Sequence, residues 1–145
     1  MRNVRVALWG FGAMGSGVAR ALLEKKGVDI VGVCDLHPDR VGRSIFALLK
    51  AERGGRADVI VSDEIDRALP ERGADVCVVA TDSFTRAVCP KLLAVLRRGV
   101  NVISTAEEMC FLAAKEPALA DKIDRAAKEN GVTALGTGIN PGLMM

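Results

Sequence analysis

Short valine-rich runs alternate with amphipathic helical stripes along almost the whole chain, and no other feature constrains the fold as tightly. The runs are Val4–Trp9, Asp29–Cys34, Val59–Val61, Val76–Ala80, Asn101–Ser104 and Val132–Leu135. Most are continuously apolar, which suits strands covered on both faces. Between them apolar residues recur at i, i+4, i+7 and i+8. Met14, Val18, Ala21 and Leu22 do so in a helix over Ala13–Lys26, and Val41, Ile45, Leu48 and Leu49 in one over Asp39–Leu49. Val88, Leu92, Val95 and Leu96 repeat the spacing over Thr85–Arg98, as do Leu119, Ile123, Ala126 and Ala127 over Ala118–Asn130. A weaker helix over Glu64–Leu69 links the third and fourth runs, and Gly27, Gly73, Gly99 and Gly131 stop helices. Six strands joined by helices predict an α/β fold, a doubly wound parallel sheet with right-handed crossovers in the order 3-2-1-4-5-6. Residues 1–145 read as one domain.

Gly10-Phe11-Gly12-Ala13-Met14-Gly15 fits G-x-G-x-x-G, and it follows a strand and opens a helix, as its mechanism requires. Gly10 permits the turn, Gly12 lets the backbone approach a diphosphate, and Gly15 lets the helix pack on the strand. The free N–H groups of Ala13, Met14 and Gly15 and the helix dipole then bind the negative charge. The sheet is therefore of the Rossmann type. Asp35 lies twenty positions beyond Gly15, at the end of the second run. A carboxylate there accepts from adenosine ribose hydroxyls and repels a 2′-phosphate, so NAD is expected as cofactor, with NADP possible because Arg40 is close by. Helix capping is the competing role for Asp35. His37, the only histidine, reads as an ordinary residue of the adenine-side loop.

Composition narrows the partners. The 145 residues include 20 basic and 18 acidic ones, interspersed without a run of five like charges, which argues against nucleic acid and a polybasic membrane anchor. Four Phe, one Trp and no Tyr do not make a base-stacking surface. The N-terminal apolar run is too short for a signal-peptide core or a membrane span, so the cytoplasm is expected. Cys34, Cys77, Cys89 and Cys110 contain no C-x-x-C pair, and with one His no metal site is expected. Cys34 and Cys77 read as small buried hydrophobes, and Cys110 falls near the cofactor end.

Three segments should converge under the nicotinamide: Ala80–Thr85, Ser104–Glu108 and Gly136–Gly142. Thr81 and Ser83 are placed to contact the nicotinamide ribose or to cap the next helix, and Asp82 can do either. Thr105-x-x-Glu108 and Ser104-x-x-Glu107 both fit a capping box, which needs one carboxylate. The other would project into the crevice, able to hold an ammonium group or move protons. Glu107 is favoured for chemistry and Glu108 for the cap, though the assignments can be exchanged and both can be structural. Asn140, in a glycine-rich loop, can hydrogen-bond a carboxamide.

The segments Trp9–Gly17, Asn101–Met109 and Leu135–Gly142 together resemble the 2,4-diaminopentanoate dehydrogenases and the related native amine dehydrogenases. More remotely, the chain resembles the cofactor domain of dihydrodipicolinate reductases. The resemblance spans essentially the whole chain. It implies a two-domain NAD(P)-dependent enzyme that oxidises an amine-bearing carbon to an imine, which water hydrolyses to a ketone and ammonia. Its substrate would be a small amine or amino-ketone, and the family's acidic residue after the fifth strand maps onto Glu107 and Glu108. Such enzymes are much longer than 145 residues. The chain is therefore expected to be a cofactor domain that lacks a C-terminal substrate domain, where the rest of the pocket and a homodimer interface belong. Reduction of a cyclic imine and a non-catalytic dinucleotide-sensing module are the competing functions.

Overall fold

A computed structural model describes residues 1–137. Five parallel strands, β1 (Val4–Trp9), β2 (Val28–Cys34), β3 (Val76–Val79), β4 (Asn101–Ser104) and β5 (Ala134–Gly136), lie in the order β2-β1-β3-β4-β5. The helices are α1 (Ala13–Leu23), α2 (Ile45–Leu49), α3 (Ile65–Ala68), α4 (Thr85–Arg97), α5 (Leu112–Lys115) and α6 (Pro117–Asn130), with a 3-10 helix over Glu107–Phe111. Apolar residues of α1 and α2 pack on one face of the sheet around Leu8, Val33 and Val78. The α4 and α6 stripes pack on the other face around Val79, Leu92, Leu96 and Val102. This two-sided burial is why the strand runs are so rich in valine.

The sixth expected strand does not form. Val59–Val61 lies beside β2, but only Ser62 bridges it, through Ser62 N–H to Val33 O (2.9 Å) and Asp35 N–H to Ser62 O (3.0 Å). Three other backbone groups of this segment are taken by the preceding loop: Ile45 N–H donates to Val59 O, Gly42 N–H to Val61 O and Val61 N–H to Arg43 O, while Val59 N–H donates to Asp58 Oδ1. Val59 and Val61 are still buried, so the apolar pattern is real while the ladder is not. The same loop shortens the helix expected over Asp39–Leu49. Gly42 is at φ +80°, and Ser44 starts α2 with its hydroxyl accepting from Phe46 N–H. The last strand begins at Ala134 rather than Val132 because Val132 N–H bonds Ala127 O in the turn that ends α6 at Gly131 (φ +65°). The 3-10 helix and α5 were not legible as helices.

The chain leaves β1 toward β2 and later returns on β1's other side as β3, so a crevice opens beyond the carboxyl ends of β1 and β3. Among the described residues no helix is long and apolar enough to cross a membrane.

Candidate functional site

The glycine-rich turn starts where β1 ends. Gly10 has φ +100°, and its amide donates to Cys34 O (2.8 Å), which anchors the turn to β2. A Cβ on Gly15 would stand 1.9 Å from Gly10 O, so α1 rests on the turn at a distance only glycine allows. Gly12 is different: a Cβ there would meet nothing within 4 Å. Gly12 is also the N-cap of α1, and no side chain caps this helix. The first intrahelical bond is Ser16 N–H to Gly12 O (2.9 Å), which leaves the amides of Ala13, Met14 and Gly15 without intrahelical acceptors. Ala13 and Met14 are exposed. An open approach at Gly12, a row of free amides and the positive end of an 11-residue helix together fit a diphosphate.

Asp35 is wired into this turn. Its Oδ2 accepts from Phe11 N–H (2.6 Å) and its Oδ1 from His37 N–H (2.8 Å). Arg40 Nη1 donates to both oxygens, at 3.2 and 3.4 Å. Burial opposes ionisation of Asp35, but the His37 and Phe11 amides and Arg40 outweigh it and hold the carboxyl below its ordinary range. Asp35 caps no helix, since Ser44 caps the next one. His37 is exposed, with Nδ1 accepting from Asp39 N–H.

Beyond β3, Thr81 lies against the turn: a Cβ on Gly10 would be 2.9 Å from Thr81 Cγ2. Thr81 Oγ1 donates to Asp82 Oδ2 (2.7 Å), and Lys91 Nζ donates to both Thr81 Oγ1 (2.8 Å) and Asp82 Oδ2 (2.7 Å). The Lys91 ammonium, with the Thr81 hydroxyl, holds the Asp82 carboxyl below its ordinary range. None of Thr81, Asp82 and Ser83 caps α4, whose N-cap is Phe84. The cap comes from farther away: Glu108 Oε2 accepts from Thr85 N–H (2.8 Å), and Glu108 N–H donates to Ser83 O (3.4 Å). Neither expected capping box forms, because the two glutamates begin a 3-10 helix whose N-cap, Ala106, has no side-chain acceptor. Ser104 Oγ instead accepts from Ala106 N–H. Glu107 is exposed, and its carboxylate makes no hydrogen bond or ion pair among the described residues. Asn140 lies outside the described residues.

Sequence reasoning missed Lys91, Phe11 N–H and Thr85 as partners. Thr85 is fully buried, and its Oγ1 has no partner among the described residues. A lysine on a helix and an amide inside a glycine turn carry no local signal of such contacts. Burial pushes the Cys34 thiol up to about 11 and the Cys77 thiol up to about 12, so both stay protonated. Cys110 Sγ is 3.3 Å from Thr137 O. Among the described residues no three His, Cys, Asp or Glu side chains gather to hold a metal. A cavity of about 750 Å³ lies at the opposite end of the sheet, between Lys25 and Arg56, away from this chemistry.

The strand order, the glycine turn opening α1 and the acidic side chain ending β2 define a Rossmann-type α/β fold. More particularly, the chain is 49% identical over all 145 residues to the 2,4-diaminopentanoate dehydrogenase of Acetoanaerobium sticklandii, of which it covers 40%. A weaker similarity, 35% over 103 residues, links 69% of the chain to 37% of a 4-hydroxy-tetrahydrodipicolinate reductase of Methanococcus maripaludis. Among solved structures, an amine dehydrogenase from Mycobacterium smegmatis superposes with a TM-score of 0.83 at 34% identity, covering 94% of this chain and 40% of that one. GenD2 from gentamicin A biosynthesis, in complex with NAD, superposes at 0.69 with 26% identity, covering 97% of this chain and 35% of that one. No family model matches the chain. The chain thus spans about 40% of the length of the dehydrogenase it matches along its whole length.

Proposed function

We propose that this chain is the cofactor-holding part of an NAD(P)-dependent amine dehydrogenase resembling 2,4-diaminopentanoate dehydrogenase. The observation that carries the cofactor reading is the uncapped start of α1 facing open space at Gly12. The amine chemistry is supported by the 49% identity along the whole chain. Gly10, Gly12 and Gly15 with the amides of Ala13 and Met14 hold the diphosphate, and Asp35 meets the adenosine ribose, which favours NAD. To the nicotinamide side we assign Thr81, Asp82 and Ser83, the first two held by Lys91.

The chemistry the cofactor supplies when bound is acceptance of a hydride from the amine-bearing carbon. Glu107 holds the substrate ammonium and takes the proton that nitrogen loses as the C=N bond forms. Water then adds to that carbon, ammonia leaves and a ketone remains. Glu108 is committed to Thr85 N–H and serves structure. A second domain would complete the substrate pocket and a dimer interface. The setting we assign is the cytosol, where four unpaired cysteines stay reduced.

Fluorescence titration of this chain with NADH tests the cofactor reading: saturable binding is expected, and a folded chain that binds no dinucleotide overturns it. In the complete enzyme, NADH should form from 2,4-diaminopentanoate and NAD. Glu107→Gln should lower turnover while NADH affinity holds. Turnover at the original rate would remove Glu107 from the chemistry, and activity on a cyclic imine alone would favour the reductase function.

A further inference from the structure

Lys91 sits in the second turn of α4, and its side chain runs back past the first turn to the loop that follows β3. There Nζ donates to Thr81 Oγ1 (2.8 Å) and to Asp82 Oδ2 (2.7 Å), and Thr81 Oγ1 donates its one hydrogen to the same Asp82 oxygen (2.7 Å). Lys91 and Asp82 are each 30% exposed, so the ion pair is partly withdrawn from water. Helix stability does not account for the ammonium. The start of a 13-residue helix is the positive end of its dipole, where a carboxylate is favoured and a lysine is not. The ammonium therefore answers to the Asp82 carboxylate. Thr81 in turn lies against Gly10, which puts the pair beside the crevice beyond β1 and β3.

We infer that the Lys91–Asp82 pair sets the relative affinity of this domain for the oxidised and the reduced cofactor. The inference rests on the cofactor reading and on the assignment of this loop to the nicotinamide side. The nicotinamide ring carries a positive charge in NAD and none in NADH, and the rest of the molecule is the same in both. A bare carboxylate beside the ring would therefore hold NAD in preference to NADH, and a bare ammonium would do the reverse. As a pair the two charges nearly cancel, and neither redox form is retained on account of charge. Such cancellation suits a domain that takes up one form and releases the other in each turnover. Thr81 fixes the geometry, since its hydroxyl is bonded to both charged groups at once.

The test is calorimetric titration of the whole chain with NAD, NADH and ADP, for wild type, Lys91→Met, Asp82→Asn and the double variant. In Lys91→Met the ratio of the NAD to the NADH dissociation constant should fall about 3- to 10-fold, the effect of one uncompensated charge across a partly solvated crevice. In Asp82→Asn it should rise by about as much, and in the double variant it should return to within about twofold of wild type. Both shifts should shrink in about 0.5 M salt, which screens partly exposed charges. ADP, which has no nicotinamide, should bind all of these proteins alike. A ratio unchanged in the single variants, or moved in the same direction by both, overturns the inference while leaving the cofactor reading standing. So does an equal loss of ADP and of both dinucleotides, which would mean that the pair serves only the glycine turn. Should Lys91→Met fail to fold, Asp82→Asn and the double variant decide the question. Absence of any dinucleotide binding by the folded wild-type chain overturns both.

Discussion

Two alanines three residues apart should have opposite effects, and the difference can be worked out from the glycine turn. A methyl on Gly15 would sit 1.9 Å from Gly10 O and 2.8 Å from Gly10 C, both backbone atoms. Neither can rotate away, so α1 has to move off β1 by roughly an ångström or more. Overpacking of this kind costs about 1–3 kcal/mol or more. For a chain of this size that is a fall in Tm on the order of 5–10 °C. A methyl on Gly12 meets nothing within 4 Å, and Gly12 has φ −75° with extended ψ, which alanine adopts without strain. Alanine is a poorer N-cap than glycine, by up to about 1 kcal/mol. The lower entropy of the unfolded alanine chain offsets about 0.4–1 kcal/mol. Gly12→Ala should therefore melt within about 3 °C of wild type. The methyl nevertheless fills the space through which a diphosphate reaches the amides. Loss of one charge-assisted contact, about 1.5–3 kcal/mol, should weaken NADH roughly 10- to 150-fold. Thermal melts and NADH fluorescence titrations on the two variants measure both quantities. Gly12→Ala binding NADH with wild-type affinity would refute the placement of the diphosphate, and Gly15→Ala melting with wild type would refute the packing argument.

The two adjacent glutamates should separate cleanly in stability. Glu108→Ala removes the acceptor of Thr85 N–H at the start of α4 and should cost about 0.5–2 kcal/mol in urea unfolding, whereas Glu107→Ala should cost less than about 0.5 kcal/mol. Equal costs would show that the Glu108 cap contributes nothing. Acid should loosen the amino-terminal strap. The Arg2 guanidinium, joined by the Arg5 amide and side chain, holds the Asp75 carboxyl well below the ordinary range. A carboxyl with a depressed folded-state pKa stabilises above its unfolded value, near pH 4, and loses that contribution as the pH falls further. Wild type should therefore melt above Asp75→Asn at pH 7, with the gap narrowing as the pH is lowered below about 4; a gap constant in pH would refute the assignment.

What could be read from the residues alone was local. Apolar spacing at 3.6 residues placed α1, α4 and α6 within a few residues of their ends, and valine-rich runs placed β1 to β5, because each pattern is the imprint of the face an element must bury. The glycine turn was legible because its three glycines answer to backbone demands a few residues apart. Contacts distant in sequence decided the remainder. Val59–Val61 has the composition of a strand, yet the loop at 42–45 took its backbone groups first, and composition cannot reveal which partner wins that competition. Glu108 looked like the cap of its own helix and caps one 23 residues earlier. Asp35 looked like a free ribose acceptor and is already bonded to Phe11, His37 and Arg40. A side chain's type limits the bonds it can make, but only the folded chain brings the partner within 3 Å, and so only the tertiary structure assigned these carboxylates their work.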